Sequence, residues 1–279
     1  MIRGDTLKKG YCHICQKYKD LTFEHIPPHK AFNYISTRSI EGDEVLKLMT
    51  DESRMPWEMT GLKYKPKQRG MGMYSLCEKC NNLTGKYYGN EYIKFANTIH
   101  LLFPQIKKKT KGKTPKVIGI KINGINPLLF AKQVLSMFCS TCPNITKKDP
   151  KIIDLLMNKD KRGLDTQKYK LYMFLLNEHK IGYSGLQAMF ISGIGTRLIA
   201  TIDAYPFGFV LEFDPNAKIK GPELDITSFF NDYECEEYNL ELGIPVLERN
   251  NIISCDYRTK DEIIKCIKDN KKYKEKINS

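Results

Sequence analysis

The sequence predicts an α+β protein in which helices and an antiparallel sheet occupy different stretches of the chain. Three observations support this class. A helical stripe of apolar residues follows position 84, a second helical run begins at a proline at position 127, and segments rich in β-branched and aromatic residues follow position 186. With 279 residues, 41% of them hydrophobic, the chain can bury a core as one large or two ordinary domains.

The first half of the chain divides into a short start, an insertion and a helix. A turn-rich start through Lys30 is followed by an irregular polar insertion at about 31–74. After Cys80 a helix is expected, because large apolar side chains recur there at three- and four-residue spacing. Such a stripe is typical of a face packed in the core. Its members are Tyr88, Tyr92, Phe95, Ile99 and Phe103.

A basic linker is predicted at 107–116, because its lysines, glycine and proline do not continue a packed helix. It is either a solvated loop or a segment that contacts phosphate. A mixed α+β domain over 117–279 follows. Its predicted elements are a strand at 117–122, helices at 127–138 and near 167–179, an antiparallel meander at 187–192, 197–204 and 207–213, and a charged helix at about 261–276.

The charge of the chain is strongly basic and unevenly placed. The formal net charge is +13, and residues 1–114 hold 21 Lys+Arg against 11 Asp+Glu, whereas residues 115–279 hold 24 against 21. This favours a polyanionic partner such as nucleic acid, with a generally lysine-rich proteome as the alternative. Neither a secretory signal nor an apolar run of membrane-spanning length is visible, so a cytoplasmic, reducing location without membrane contact is predicted.

Six of the nine cysteines lie in Cys-x-x-Cys pairs, which in a reducing compartment favour metal binding. Cys12, Cys15, Cys77 and Cys80 supply a complete tetrahedral Cys₄ set, and a filled set predicts a structural Zn²⁺. The pair Cys139/Cys142 ends an apolar helical run. It is interpreted either as buried small side chains or as part of a second metal or redox site with Cys235 and Cys255.

The loop between the first two cysteine pairs contains Glu24 next to His25, on an extended run ended by two prolines. Neighbouring strand residues point to opposite faces unless the strand is twisted or bulged, so one side chain can bind a metal while the other addresses a water. Asn81 and Asn82 follow Cys80 directly. An amide oxygen together with Glu24 suits Mg²⁺ or Mn²⁺.

The order Cys-x-x-Cys, Glu-His-Ile-x-Pro, Cys-x-x-Cys-Asn-Asn resembles the HNH (His-Me finger, ββα-metal) endonucleases, in particular the branch with a zinc-clipped finger. The resemblance covers about residues 11–90. It implies a zinc-stabilised ββα-metal finger in an HNH-type nuclease domain over 1–106. It also implies that His25 is the general base and that Glu24 and Asn81 hold one divalent ion, Asn81 being favoured because it directly follows the cysteine. The asparagine that often braces a loop just before Cys77 in the family has no counterpart at 71–75.

The predicted function is therefore a divalent-metal-dependent DNA endonuclease, with a prokaryotic restriction or anti-phage defence role by analogy. The alternatives are a non-catalytic zinc module that binds nucleic acid, an RNA-cutting enzyme and a homing nuclease. Residues 117–279 would select substrate, sense a trigger, form a homo-oligomer or bind a partner regulatory protein or ATPase. His29, beyond the two prolines, is either catalytic or a surface-loop residue. The candidates for nucleic-acid contact are Lys63, Lys65, Lys67, Arg69 and Lys86.

Overall fold

The computed structural model describes residues 8–51, 54–68, 70–109, 114–191, 195–216, 218–250 and 256–278. It contains both helices and strands, with an antiparallel-rich sheet. The strands are β1 (Lys8–Tyr11), β2 (Tyr18–His25), β3 (Thr37–Ile40), β4 (Tyr64–Lys67), β5 (Gly72–Cys77), β6 (Val117–Ile125), β7 (Tyr169–Leu176), β8 (Ile181–Ile191), β9 (Gly195–Ala204), β10 (Phe207–Phe213), β11 (Leu224–Asp225) and β12 (Tyr238–Leu247). The helices are α1 (Gly42–Thr50), α2 (Glu78–Thr84), α3 (Asn90–Lys109), α4 (Pro127–Thr141), α5 (Asn144–Lys148), α6 (Lys151–Met157) and α7 (Lys260–Asn278), with a π-helical turn at Gly85–Gly89 and a 3₁₀ turn at Thr227–Phe230.

The chain forms two compact units. The first comprises residues 1–37 and 66–246, and the second comprises residues 38–65 and 247–279. The first unit contains most of the predicted nuclease domain, except residues 38–65. It also contains the predicted second domain up to residue 246. Residues 107–109 of the predicted linker are the last turn of α3, while 110–113 lie outside the described residues.

A small antiparallel sheet in the first unit has the order β1-β2-β5. The register between β2 and β5 shifts between Thr22 and Phe23, which pair with Leu76 and Tyr74, so Ser75 is the extra residue of a β-bulge. Strand β5 ends at Cys77 and α2 begins at the next residue. Because no loop separates them, the start of α2 is fixed against the end of β5.

The larger sheet has the order β6-β12-β7-β10-β9-β8, with β11 paired to β7. The strand predicted at 117–122 is confirmed by β6. The predicted meander is also confirmed, since β8, β9 and β10 pair as antiparallel neighbours. One face of this sheet packs on α3 and α4. The rings at their contact are Tyr92, Phe95, Phe130, Phe207 and Phe209.

The predicted apolar stripe is confirmed as part of the core. Tyr88 lies in the π-helical turn and the other four members lie on α3, and all five are buried. The two buried tyrosine hydroxyls are satisfied, because Tyr88 donates to the Leu156 carbonyl at 2.7 Å and Tyr92 to the Ala204 carbonyl at 3.2 Å.

The prediction of a helix near 167–179 is wrong. Residues 169–176 form β7, which lies between β12 and β10 in the larger sheet. Every residue of β7 except Lys170 is buried. A strand covered on both faces loses its polar alternation, and a short apolar run of this kind cannot be distinguished from a buried helix by periodicity.

Helix α4 begins at Pro127, as predicted, and crosses the core of the first unit. The Asn126 side chain caps it by accepting from the Leu129 backbone amide at 3.0 Å. Lys132 lies on this helix and is fully buried. Its ammonium donates to the carbonyls of Asn158 and Lys159, just after α6. Burial lowers the pKa of Lys132 to about 8.

The second unit contains α1, most of the β3-β4 ribbon and α7. The predicted charged terminal helix is confirmed by α7. Lys65 pairs with Glu41 at 2.5 Å, and the Lys260 ammonium lies over the Trp57 ring. Within the described ranges, no helix has the length and apolarity that crossing a membrane requires.

Candidate metal centre

Four cysteine thiols meet where the two predicted pairs come together. Cys12 and Cys15 lie in the turn between β1 and β2, Cys77 ends β5, and Cys80 is in the first turn of α2. Their sulfur atoms all lie within 4.8 Å of one another, and those of Cys15 and Cys77 are 3.9 Å apart. Sulfurs at this separation can surround one tetrahedral ion with bonds of about 2.3 Å. The cluster can therefore hold a structural metal ion such as zinc.

The electrostatics of the cluster fit a cation. The pKa of Cys12 is lowered to about 4, because the Cys80 thiol donates to its sulfur and backbone amides of Cys77, Cys15 and Ile14 support the thiolate. The same contact and burial raise the pKa of Cys80. Repulsion between neighbouring thiolates thus keeps some of the four cysteines protonated. A divalent cation would replace those protons.

The other cysteines that the structure describes do not join a comparable set. Among the described residues, these four cysteines are the one group of three or more potential metal-binding side chains. Cys139 is buried on α4, where burial raises the pKa of its thiol, and Cys142 follows the end of that helix. The structure does not bring Cys235 into a set with them, and Cys255 lies outside the described residues.

The turn that carries Cys12 and Cys15 packs on the end of α4 and on α5. The Nδ1 atom of His13 lies 2.8 Å from the Ser140 carbonyl oxygen. Gln16 donates to the Thr146 hydroxyl at 2.7 Å, and that hydroxyl donates to the His13 carbonyl. The turn with Cys12 and Cys15 is therefore anchored on residues that lie more than 120 positions further along the chain.

Glu24 is buried beside the metal centre. Its Oε2 atom accepts hydrogen bonds from the hydroxyls of Ser140 at 2.5 Å and of Ser75 at 3.2 Å. Burial raises the pKa of Glu24 to about 7, and these two hydrogen bonds offset part of that rise. Both hydroxyls use the same carboxylate oxygen, so Oε1 takes part in neither bond.

His25 lies on the opposite side of β2, as strand alternation predicts. Its ring packs edge-on against the rings of Phe23 and His29, each with a centroid distance of 5.0 Å, and Phe23 packs in turn against Tyr74. Residue His29 is thus brought next to His25 despite the two intervening prolines. At the end of β2, His25 is partly exposed and His29 is exposed.

Asn81 lies on α2 and contacts β2 just before Glu24. Its side-chain nitrogen donates to the Thr22 hydroxyl at 2.9 Å and to the Phe23 carbonyl at 3.3 Å, and neither bond uses the amide oxygen. Asn82 is exposed. The two neighbouring asparagines therefore differ in their contacts, since Asn81 is bonded to β2 and Asn82 is exposed.

Asn33 is a residue of this region that the sequence does not single out. It is fully buried, its side-chain nitrogen donates to the carbonyls of Pro27 and Met71, and its oxygen accepts from the Met71 amide at 2.7 Å. These three bonds hold the loop after His25 against the start of β5. The local sequence offers no signal for them, because the partners lie up to 38 positions apart.

The predicted nucleic-acid contacts are mostly exposed. Lys63 and Lys67 are exposed, and the exposed Lys65 makes the ion pair with Glu41. Lys86 lies beside the Tyr87 ring, with its ammonium 5.1 Å from the ring centroid. Arg69 lies outside the described residues.

The fold and the site define a mixed α and β protein with a four-cysteine cluster that can hold a metal ion. Comparisons of the chain with protein-family models, with curated proteins and with solved structures give no match.

Proposed function

We propose that this protein is a divalent-metal-dependent DNA endonuclease of the HNH (His-Me finger) type. The observation that carries the proposal is the four-cysteine cluster, which joins the β1–β2 turn to the start of α2. It thereby fixes a strand ending in Glu24 and His25 against a helix that carries Asn81. Within this proposal, β1, β2, β5 and α2 correspond to the ββα-metal finger.

His25 is the proposed general base. Its ring is partly exposed at the end of β2 and is positioned by edge contacts with Phe23 and His29. An imidazole can accept a proton from an attacking water at neutral pH, which contributes about 10² to 10⁴ in rate in enzymes that use one. Its contacts with other rings restrict its orientation, as a base that must address one water requires.

Glu24 and Asn81 are the proposed ligands of the catalytic cation. The two serine hydroxyls anchor Glu24 through Oε2 and leave Oε1 for a cation, while the Asn81 nitrogen is anchored on β2 and leaves the amide oxygen. Hydrogen bonds of this kind commonly orient the ligands of a metal. Carboxylate and amide oxygens suit Mg²⁺ or Mn²⁺, and such an ion would stabilise the charge that develops on the scissile phosphate.

The substrate is assigned from charge. The net charge of +10 on residues 1–114 attracts a polyanion, and Lys63, Lys65, Lys67 and Lys86 present exposed ammonium groups. Catalysis on DNA in a restriction or anti-phage setting within the cytoplasm is proposed by analogy with other solitary proteins of this type.

Cleavage of supercoiled plasmid in Mg²⁺ or Mn²⁺ tests the proposal. Wild type and Asn82→Ala are expected to convert the plasmid to nicked or linear form. His25→Ala and Asn81→Ala are expected to be slower by about 100-fold or more. Asn82→Ala is the matched control for Asn81→Ala, and zinc content together with circular dichroism verifies that each variant is folded.

Equal cleavage by wild type and His25→Ala would overturn the catalytic assignment. If neither protein cuts but both bind DNA with a steep salt dependence, the protein is instead a nucleic-acid-binding zinc module. Labelled RNA in the same assay distinguishes an RNA-cutting enzyme.

A further inference from the structure

A second group of rings lies apart from the metal centre and is assembled from four segments of the first unit. Phe32 and Tyr34 lie in the loop after β2, and His100 is on α3. His179 precedes β8, and Tyr205 lies between β9 and β10. We refer to these five residues as the ring cluster.

The rings are in mutual contact. Phe32 packs on His100 with a centroid distance of 4.4 Å and on Tyr205 at 5.6 Å, and His179 stacks on Tyr205 at 4.7 Å with 26° between the planes. The ring centroids of Tyr34 and His179 are 6.3 Å apart. A 3.1 Å hydrogen bond joins Nδ1 of His100 to the Tyr205 hydroxyl.

Exposure increases from the base of the ring cluster to its rim. Tyr205 is buried, Phe32 and His100 are partly buried, His179 is exposed, and Tyr34 is 61% exposed. Partial desolvation and the neighbouring His100 lower the pKa of His179, which favours the uncharged form of its imidazole at neutral pH. The rim therefore presents a phenol and an imidazole as flat stacking surfaces.

The backbone holds this arrangement in a strained conformation. Phe32 has φ of 64°, in the left-handed region that side chains other than glycine rarely adopt. Such a conformation persists only where the surroundings fix it, and it is concentrated at ligand-binding and active sites. The adjoining Asn33 supplies that fixation through its three buried hydrogen bonds.

Charge favours an anionic ligand over a cationic one. Lys30 and Lys180 flank the segments that carry the rings, against the exposed carboxylate of Glu178 next to His179, while the carboxylate of Asp203, two residues before Tyr205, is buried. An aromatic cage for a quaternary ammonium would gain from acidic neighbours, whereas a nucleotide combines a flat base with a negative phosphate. Aromatic side chains beside cations are the combination that binds single-stranded nucleic acid.

We propose that the ring cluster binds an unpaired base of the DNA substrate, stacked on the rings of Tyr34 and His179. This inference rests on the proposed nuclease function. The loop from His25 to Phe32 is short, and Asn33 ties it to Pro27 and Met71, so the base would lie on the same loop as the general base. The preferred substrate is then single-stranded, branched or gapped DNA rather than a continuous duplex.

Fluorescence anisotropy of labelled oligonucleotides, measured in Ca²⁺ to limit cleavage, tests the proposal. The probes are a single strand, the same strand with abasic sites, and the paired duplex. Tyr34→Ala and His179→Ala are expected to bind the single strand about tenfold more weakly than wild type. Tyr34→Phe keeps the ring and Tyr18→Ala removes an equally exposed tyrosine outside the ring cluster, so both are expected to bind within about twofold of wild type.

The abasic strand makes the test specific for stacking. Wild type is expected to bind it about tenfold more weakly than the intact strand, and Tyr34→Ala is expected to add no further loss. Unchanged affinity of Tyr34→Ala for the intact strand, equal binding of abasic and intact strands by wild type, or a preference for duplex would each overturn the proposal.

The two proposals fail separately. If His25→Ala cuts as well as wild type but single-strand binding depends on Tyr34, the base-binding site stands without the nuclease assignment. If cleavage depends on His25 and binding is indifferent to Tyr34 and His179, the ring cluster assignment alone is overturned.

Discussion

The Ser140 hydroxyl donates a 2.5 Å hydrogen bond to the Glu24 carboxylate and thereby links β2 to α4 across 116 positions of the chain. The carbonyl of the same serine is bonded to His13 in the turn that carries Cys12 and Cys15. One residue of α4 therefore contacts both the turn that carries Cys12 and Cys15 and the buried carboxylate. The residues around the candidate site depend on the rest of the first unit for their positions.

Loss of the Ser140 hydroxyl is expected to impair cleavage more than stability. In Ser140→Ala the Glu24 carboxylate loses the shorter of its two anchors, so we expect the apparent affinity for Mg²⁺ or the rate to fall about tenfold or more. The control is Ser136→Ala on the same helix, where a buried hydroxyl donates to the Gln133 carbonyl. Each variant is expected to lose about 1 kcal/mol of unfolding free energy. Initial cleavage rates against Mg²⁺ concentration, with urea unfolding, measure both effects, and equal rates in the two variants would contradict the anchoring role.

Glu24→Gln is expected to raise stability at alkaline pH. A carboxyl pKa of about 7 in the folded protein, above its ordinary 4.5, means that the folded state favours the neutral form. That stabilising contribution is complete below pH 4.5 and is lost as pH rises through 7, a change of roughly 3 kcal/mol. Glutamine stays neutral throughout, so the variant should gain stability over wild type from pH 5.5 to pH 8.

Urea unfolding of wild type and Glu24→Gln at the two pH values measures this gain. The same variant is expected to lose cleavage, because an amide is a weaker ligand for the cation than a carboxylate. A variant that is less stable than wild type at pH 8 would show that the charged form of Glu24 is a structural anchor instead.

The four-cysteine centre is expected to contain about one zinc per chain that survives mild chelation. Cys77→Ser should lose that zinc and unfold at lower denaturant, because the binding energy of a structural zinc contributes to folding. Cys142→Ser is the control, since Cys142 also belongs to a Cys-x-x-Cys pair but lies outside the centre. Elemental analysis with urea unfolding measures both quantities. A folded wild type without metal would contradict the prediction.

Substitution of Gly70 is expected to disrupt the loop that Asn33 holds. Gly70 has φ of 78°, and a Cβ there would lie 2.3 Å from the Asn33 carbonyl oxygen. Gly163 has φ of 98° with nothing within 4 Å of such a Cβ, so Gly163→Ala isolates the backbone strain. We expect Gly163→Ala to cost about 1 kcal/mol of unfolding free energy and Gly70→Ala to cost about 2 kcal/mol more. Chemical denaturation measures both, and equal losses would show that the contact with Asn33 is relaxed at little cost.

Local spacing predicted the elements that depend on near neighbours in sequence. The stripe from Tyr88 to Phe103, the start of α4 at Pro127 and the β8-β9-β10 meander follow from periodicity, capping and turn residues. Periodicity failed at β7, because a strand buried on both faces has no polar alternation to reveal it.

Spacing along the chain predicted that the four cysteines form one set, because two thiols three positions apart can converge on one ion. It also predicted that Glu24 and His25 face opposite sides of their strand, because neighbouring strand residues alternate. Three contacts are visible only in the folded chain: Ser140 anchors Glu24, Asn33 braces the loop after His25, and five rings from four segments meet. Those contacts join residues far apart in the chain. Their geometry depends on how helices and sheets pack, which no local spacing encodes.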